Sequence, residues 1–202
     1  MDKIHLLKSM KQEGFSRKIL YAFSKVKREE FLPRNLKKRA YEDTALPTWD
    51  RQTISQPYTI AKMLSLLFLK PGQRVLEIGS GCGYVLALIS EIVGDGGKVY
   101  GVEIIKHLAN KSRISLGNYN NIKVYFRNGR RGLKEHSPFD RIIISSALEE
   151  IPQKLAEQLK EGGIIVAPVG SRYGQTLTSF QKVHRKLEIR EEIPGFIFVP
   201  FV

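Results

Sequence analysis

The spacing of apolar positions changes along this chain, and the changes mark out its elements. Residues 3–12 and 17–26 carry apolar side chains at helical spacing, with Gly14 breaking the pattern and Ser16 as a candidate N-cap. Residues 31–50 are polar and irregular and contain Pro33 and Pro47, so no regular element is predicted there. Helical spacing returns over 57–69, through Ile60, Met63, Leu64 and Leu67, and stops at Pro71-Gly72. From Val75 onward, short apolar runs alternate with amphipathic segments. Strands are predicted at 74–78, 98–103, 122–126, 140–145 and 163–169, and helices at 83–93, 106–116 and 152–160. Two more strands, 175–183 and 187–198, follow Gly170 with no helix between them. This alternation predicts an α/β fold, a doubly wound, mostly parallel seven-stranded sheet of Rossmann-like type. An N-terminal helical cap and an antiparallel C-terminal edge complete it. In a single domain, residues 1–56 form the cap, 57–170 the ligand-binding core and 171–202 the edge strands. The cap is expected over the carboxyl ends of the strands, where such sheets bind ligands.

Composition narrows the class. A chain of 202 residues that is 42% hydrophobic and 26% charged can bury a core of its own. No apolar run reaches the roughly 18 residues of a membrane span, and the N-terminus lacks the apolar core of a secretory signal. Cys82 is the only cysteine, so no intramolecular disulfide forms and a cytoplasmic location is expected. The 33 basic residues against 20 acidic ones give a net charge of +13. That excess admits a nucleic-acid partner without favouring one. The basic residues are dispersed, with short clusters only at Lys37-Lys38-Arg39 and Arg130-Arg131.

The segment Val75-Leu-Glu-Ile-Gly-Ser-Gly-Cys-Gly-Tyr84 carries the chemistry. A buried strand runs into a glycine turn and then a helix, so backbone N–H groups and a helix N-terminus are expected to face a nucleotide-like ligand. A dinucleotide fingerprint wants its third glycine at the sixth position, but Tyr84 stands there and Gly83 comes one residue early. Glu77 adds an acid where a diphosphate would be repelled. A ligand without phosphate is favoured, and S-adenosylmethionine fits. Glu103 ends the next strand, where an acid accepts hydrogen bonds from ribose hydroxyls; alone it would read as a solvated strand end. Cys82 reads either as a nucleophile or as a small side chain packed under the loop.

Several segments together resemble the protein-L-isoaspartate O-methyltransferases. They are Arg28-Glu-Glu-Phe-Leu-Pro33, Ala40 to Pro47, Gln52-Thr-Ile-Ser-Gln-Pro57, Leu69 to Tyr84, Phe139-Asp-Arg-Ile142, Gly162-Gly163 and Phe198-Val-Pro-Phe201. Thr53-Ile-Ser55, joined to the late Val199-Pro200, is the specific part; the glycine loop is common to many methyltransferases. The resemblance implies a class I methyltransferase that moves a methyl group from S-adenosylmethionine to the carboxylate of an L-isoaspartyl or D-aspartyl residue, leaving S-adenosylhomocysteine. The ester recloses to a succinimide and part of it reopens as normal aspartate, which repairs the protein. Damaged proteins are thus the expected partners, a monomer the expected state, and no metal is called for. By the same resemblance Ser55 orients the acceptor carboxylate; from the residues alone it is an N-cap for the helix starting near Pro57. Thr53, Ile54 and Ser55 would close over the methionine end. Glu77, Gly79, Ser80 and Gly81 would line it from below, Glu103 with Ile104 would hold the ribose, and Asn128-Gly129 would read the adenine. Val199 and Pro200 would support the substrate backbone, or else close the sheet edge.

The acceptor side departs from the family pattern at Gln56, Tyr58, Asn128, Trp49-Asp50-Arg51 and Leu148-Glu149. Glu149 would repel an acceptor carboxylate it faced, unless Arg130 or Arg172 neutralised it. Two alternatives follow: the same fold acting on RNA or a modified peptide, or a binding protein without catalysis.

Overall fold

The computed structural model describes residues 1–171 and 173–201; Arg172 and Val202 lie outside the described residues. Helices α1 (Lys3–Gln12) and α2 (Arg17–Lys25) open the chain. Ser16 takes the N-cap position of α2 with extended backbone, but its side chain makes no capping bond. The stretch expected to be irregular forms two 3-10 turns, Arg28–Phe31 and Arg34–Arg39. Strands β1 (Leu46–Pro47) and β2 (Thr53–Ile54) then pair as a short antiparallel ribbon. Helix α3 (Pro57–Leu67) ends where Phe68 turns left-handed.

Five parallel strands follow, β3 (Arg74–Ile78), β4 (Lys98–Glu103), β5 (Ile122–Phe126), β6 (Phe139–Ile144) and β7 (Leu159–Ser171). Antiparallel β8 (Gly174–Val183) and β9 (Lys186–Phe196) extend the sheet beyond β7. The seven strands lie in the order β5-β4-β3-β6-β7-β8-β9. Helices α4 (Tyr84–Val93), α5 (Lys106–Ser115) and α6 (Gln153–Glu157) connect them. The doubly wound, mostly parallel sheet expected from the alternation is thus the fold observed. Most boundaries fall within one or two residues of those expected, and the largest shift is at β7, which begins at Leu159 where 163 was expected. The helix expected over 152–160 ends at Glu157, because Leu159 is drawn into the sheet opposite Phe139 and is buried there.

Side-chain alternation along the strands builds two apolar layers. Val75, Ile143, Ile164 and Val166 face the layer shared with α3, α4 and the N-terminal helices. Leu76, Ile142, Ile144 and Ile165 face the other, where Leu133 and Leu155 pack. Helices α1 and α2 are not the part of the N-terminal cap that covers the carboxyl ends of the strands. Phe23 of α2 packs edge-on against Tyr84 at the start of α4 (ring centroids 6.1 Å), so these helices sit beside the site. The segment that reaches over the strand ends is the ribbon, through Arg51, Gln52 and Thr53. The order of strands reverses between β3 and β6, and the crevice outside their carboxyl ends is where a ligand fits.

Candidate active site

The glycine turn after β3 takes positive φ at Gly79 (75°), Gly81 (50°) and Gly83 (91°), a run that side chains with a Cβ would resist. Its N–H groups do not face outward as expected. Those of Gly79 and Ser80 donate to the Val102 carbonyl (2.9 and 3.1 Å), and that of Gly81 donates to Glu103 Oε2 (2.8 Å). With these donors spent inside the fold, the turn offers little to a phosphate. It suits a ligand that needs a close backbone surface more than an anion cradle.

Glu103 is 5% exposed, which excludes the reading of a solvated strand end. Besides holding Gly81, its Oε1 accepts the Ile105 N–H at 2.8 Å. Both oxygens are fixed, and each keeps capacity for a further donor. Glu103 lines a cavity of about 280 Å³ together with Thr53, Gly79, Gly81, Ile104, Gly129, Val199 and Pro200. At Gly129 a Cβ would come within 2.4 Å of Ile78 Cγ2, so only glycine brings the backbone this close to the cavity floor.

A smaller recess beside this cavity is lined by Thr53, Ile54, Ser55, Glu77, Gly79, Ser80, Gly81 and Ser145. Glu77 is 1% exposed. Its Oε1 accepts the Ser145 hydroxyl at 2.7 Å, and its Oε2 has no partner among the described residues. Burial pushes its carboxyl up to about 8, with the Glu103 charge adding to the rise and the Ser145 bond opposing it. An unpartnered buried carboxylate oxygen suits an ammonium group, as the methionine end of S-adenosylmethionine would supply.

Ser55 borders this recess and also a larger groove of about 810 Å³, whose walls include Ala45, Gln56, Tyr58, Ser145, Phe196 and Val199. Thr53, Ser145 and Val199 line both the groove and the main cavity, so the spaces adjoin. The capping role considered for Ser55 belongs elsewhere. Gln56 holds the cap position of α3, and Asp43 Oδ1 accepts the Tyr58 N–H at 2.9 Å from across the ribbon. Asp43 Oδ2 also accepts from Gln56 Nε2 at 3.2 Å.

Asn128, the Val199-Pro200 pair and Glu149 take the following places. Asn128 does not line the cavity; its Oδ1 accepts the Arg130 N–H at 2.8 Å and shapes the turn that presents Gly129. Pro200 lines the main cavity and not the groove, while the Val199 carbonyl accepts the Ala147 N–H at 2.8 Å. The pair thus joins the sheet end to the cavity wall. Glu149 does not line the groove; it lines a further hollow with Arg130, which shares Phe198 with the groove and Pro200 and Phe201 with the main cavity. Arg172, its other expected counter-charge, lies outside the described residues.

Ser145 was not singled out from the sequence, although it lines all three spaces. Its position just past the Ile142–Ile144 run, at the reversal point of the sheet, was the available signal. Trp49-Asp50-Arg51 stands over the cavity with Asp50 and Arg51 at positive φ (57° and 59°), costly for non-glycine residues. Ties to α5 hold it, from Asp50 to His107 Nδ1 (2.8 Å) and from Trp49 to Lys111, 5.0 Å from the ring centroid.

Cys82 is buried, and burial pushes its thiol up to about 11, so the packing role is the one it plays. A thiol reagent at pH 8 is expected to label it no faster than the protein opens. Labelling at the rate of a free thiol in the folded protein would contradict this burial.

Comparison with known proteins decides among the remaining readings. The family model for protein-L-isoaspartate (D-aspartate) O-methyltransferase matches residues 1–202. The chain belongs to the protein-L-isoaspartate O-methyltransferase family. It is 43% identical over 197 residues to the protein-L-isoaspartate O-methyltransferase of Fervidobacterium nodosum, covering 96% of this chain and 98% of the relative. To that of Methanococcoides burtonii it is 41% identical over 199 residues, covering 98% of each. A solved protein-L-isoaspartate O-methyltransferase superposes with a TM-score of 0.92 at 30% identity, over 98% of this chain and 65% of that one. Another, from Plasmodium falciparum in complex with S-adenosyl-L-homocysteine, gives a TM-score of 0.85 at 24% identity over 98% and 97%, a likeness of fold. Like its relatives, this member of the protein-L-isoaspartate O-methyltransferase family is a methyltransferase dependent on S-adenosylmethionine. No helix among the described residues is long and apolar enough to cross a membrane.

Proposed function

We propose that this chain, as a monomer in the cytoplasm, methylates the carboxylate of L-isoaspartyl or D-aspartyl residues in damaged proteins, with Ser55 orienting the acceptor. One observation carries the residue assignment: Ser55 lies where the recess holding Glu77 meets the open groove. The recess is too small for a peptide, and the groove is large enough for one.

S-adenosylmethionine supplies a methyl group already activated by the sulfonium charge. Glu77 Oε2 receives the ammonium of its methionine arm, Glu103 accepts from the ribose hydroxyls, and Gly129 lets the adenine lie against the backbone. The chain needs no strong base, because a carboxylic acid with a pKa near 3.9 is ionised at neutral pH. Its task is alignment, and holding reactants in line can be worth roughly 7–11 kcal/mol. Ser55 Oγ–H donates to one acceptor oxygen and leaves the other free to approach the methyl carbon. Val199 and Phe196 border the path of the peptide.

A hydrogen bond to a charged group is worth about 1.5–3 kcal/mol, so Ser55→Ala is expected to lower kcat roughly 10- to 150-fold. Cofactor affinity, measured by calorimetry, should stay within about twofold. Loss of cofactor affinity with turnover preserved would show that Ser55 serves the cofactor instead.

A further inference from the structure

The arginine that opens the first 3-10 turn, Arg28, is fully buried, yet no carboxylate among the described residues lies within ion-pair distance of it. Its Nη1 donates to the Ser55 carbonyl (2.8 Å) and its Nη2 to the Thr44 carbonyl (3.2 Å), while its Nε has no partner. The guanidinium carbon sits 5.4 Å from the Tyr84 ring centroid. Two carbonyls and an aromatic face are weak compensation for a charge taken out of water, and Arg stays protonated at any ordinary pH. Such a residue is expensive to keep unless the charge or the two carbonyl bonds serve a purpose.

The two carbonyls show what that purpose is. Ser55 borders the groove, Thr44 precedes Ala45 on its wall, and Arg28 is the side chain that bonds both segments from beneath. Asp43 fastens the same corner from the other side through the Tyr58 N–H and Gln56. No wall of the three cavities of the site includes Arg28 itself, so it touches neither cofactor nor peptide.

We propose that Arg28 is a positioning residue for methyl transfer: it sets Ser55 in place through the Ser55 and Thr44 carbonyls and puts a positive charge with no carboxylate in ion-pair contact behind the acceptor groove, favouring an anionic acceptor over a neutral one. This rests on the assignment of the Ser55 groove to the acceptor. The charge acts through the low-dielectric interior, where screening is weaker than at the surface. Asp43 softens that field: its bonds to the Tyr58 N–H and Gln56 Nε2 are to neutral donors and leave its own charge in place, but it makes no ion pair with Arg28.

The test uses the intact chain, saturated with S-adenosylhomocysteine for binding and with S-adenosylmethionine for turnover, and two probes: an isoaspartyl peptide, and the same peptide with that carboxylate converted to a carboxamide. Wild type is expected to bind the anionic peptide at least tenfold more tightly. Arg28→Lys keeps the charge and loses the double bridge, so that preference should persist while kcat falls about tenfold or more. Arg28→Met keeps the bulk and loses the charge, so the preference should shrink towards unity, with cofactor affinity unchanged. Thermal melting identifies any variant that has simply unfolded, and the lysine variant then carries the comparison. The inference is overturned if a folded methionine variant keeps the wild-type preference, or if the folded lysine variant loses the preference or keeps the wild-type kcat. Absence of any preference in wild type would overturn instead the assignment of the groove.

Discussion

Replacing Glu103 with alanine is expected to weaken cofactor binding by at least 100-fold, the largest loss from any single side chain of the site. Two effects add. The carboxylate gives up its bonds to the ribose hydroxyls, each worth about 1.5–3 kcal/mol because one partner is charged. It also gives up the Gly81 and Ile105 N–H groups that it fixes at 2.8 Å, so the glycine turn loses one of its ties to β4. A loss of about 3 kcal/mol already corresponds to roughly 150-fold in affinity. Glu103→Gln separates the two effects: its side-chain oxygen can still hold one N–H, so the turn is partly retained while the charge is gone. Calorimetric titration with S-adenosylhomocysteine reads both variants. Alanine binding within a few-fold of wild type would remove Glu103 from the ribose site.

Glu77 carries the second large effect, which appears as a dependence on pH. Its folded-state carboxyl is raised, by burial first, to about 8 from an ordinary value of 4.5. The folded state therefore holds this proton more tightly than the unfolded state, and stability falls as pH rises between those values. Stability from this group is complete below about 4.5 and lost as pH climbs through about 8. The slope approaches roughly 1.4 kcal/mol per pH unit in that window. Ligand with its ammonium in the recess should stabilise the ionised form, so binding near pH 7 should release close to one proton. Titrations with S-adenosylhomocysteine in buffers of different ionisation enthalpy count that proton. Glu77→Gln should flatten the pH slope of unfolding and abolish the release. A wild-type protein that binds ligand without losing a proton would show that the recess does not take the ammonium.

The sheet was legible because buried parallel strands write themselves as apolar runs. Arg74 to Ile78, Lys98 to Glu103 and Ile122 to Phe126 begin and end where the pattern put them. Residues 153–159 were less so: Leu155 belongs to a helical turn and Leu159 to a strand, and apolar spacing over so few residues does not separate the two periods. At the site, Glu77, Glu103 and the glycine turn were legible because acids at strand ends are placed by the strand itself. Bonds made across the chain were not. Nothing local says that Asp43 caps a helix fifteen residues on, that Arg28 holds the Ser55 carbonyl, or that Glu103 consumes an N–H of the glycine turn. Those partners meet only once the ribbon folds over the strand ends. Asn128 makes a bond of the local kind, its Oδ1 accepting the Arg130 N–H of its own turn.

The central claim is that the groove beside Ser55 takes an isoaspartyl carboxylate. The most direct measurement is transfer of labelled methyl from S-adenosylmethionine to a peptide carrying one isoaspartyl residue, beside its aspartyl twin. Labelling of the isoaspartyl peptide, with the twin at background, is the expected result. Equal labelling of the two, or of neither while the cofactor binds, would contradict it.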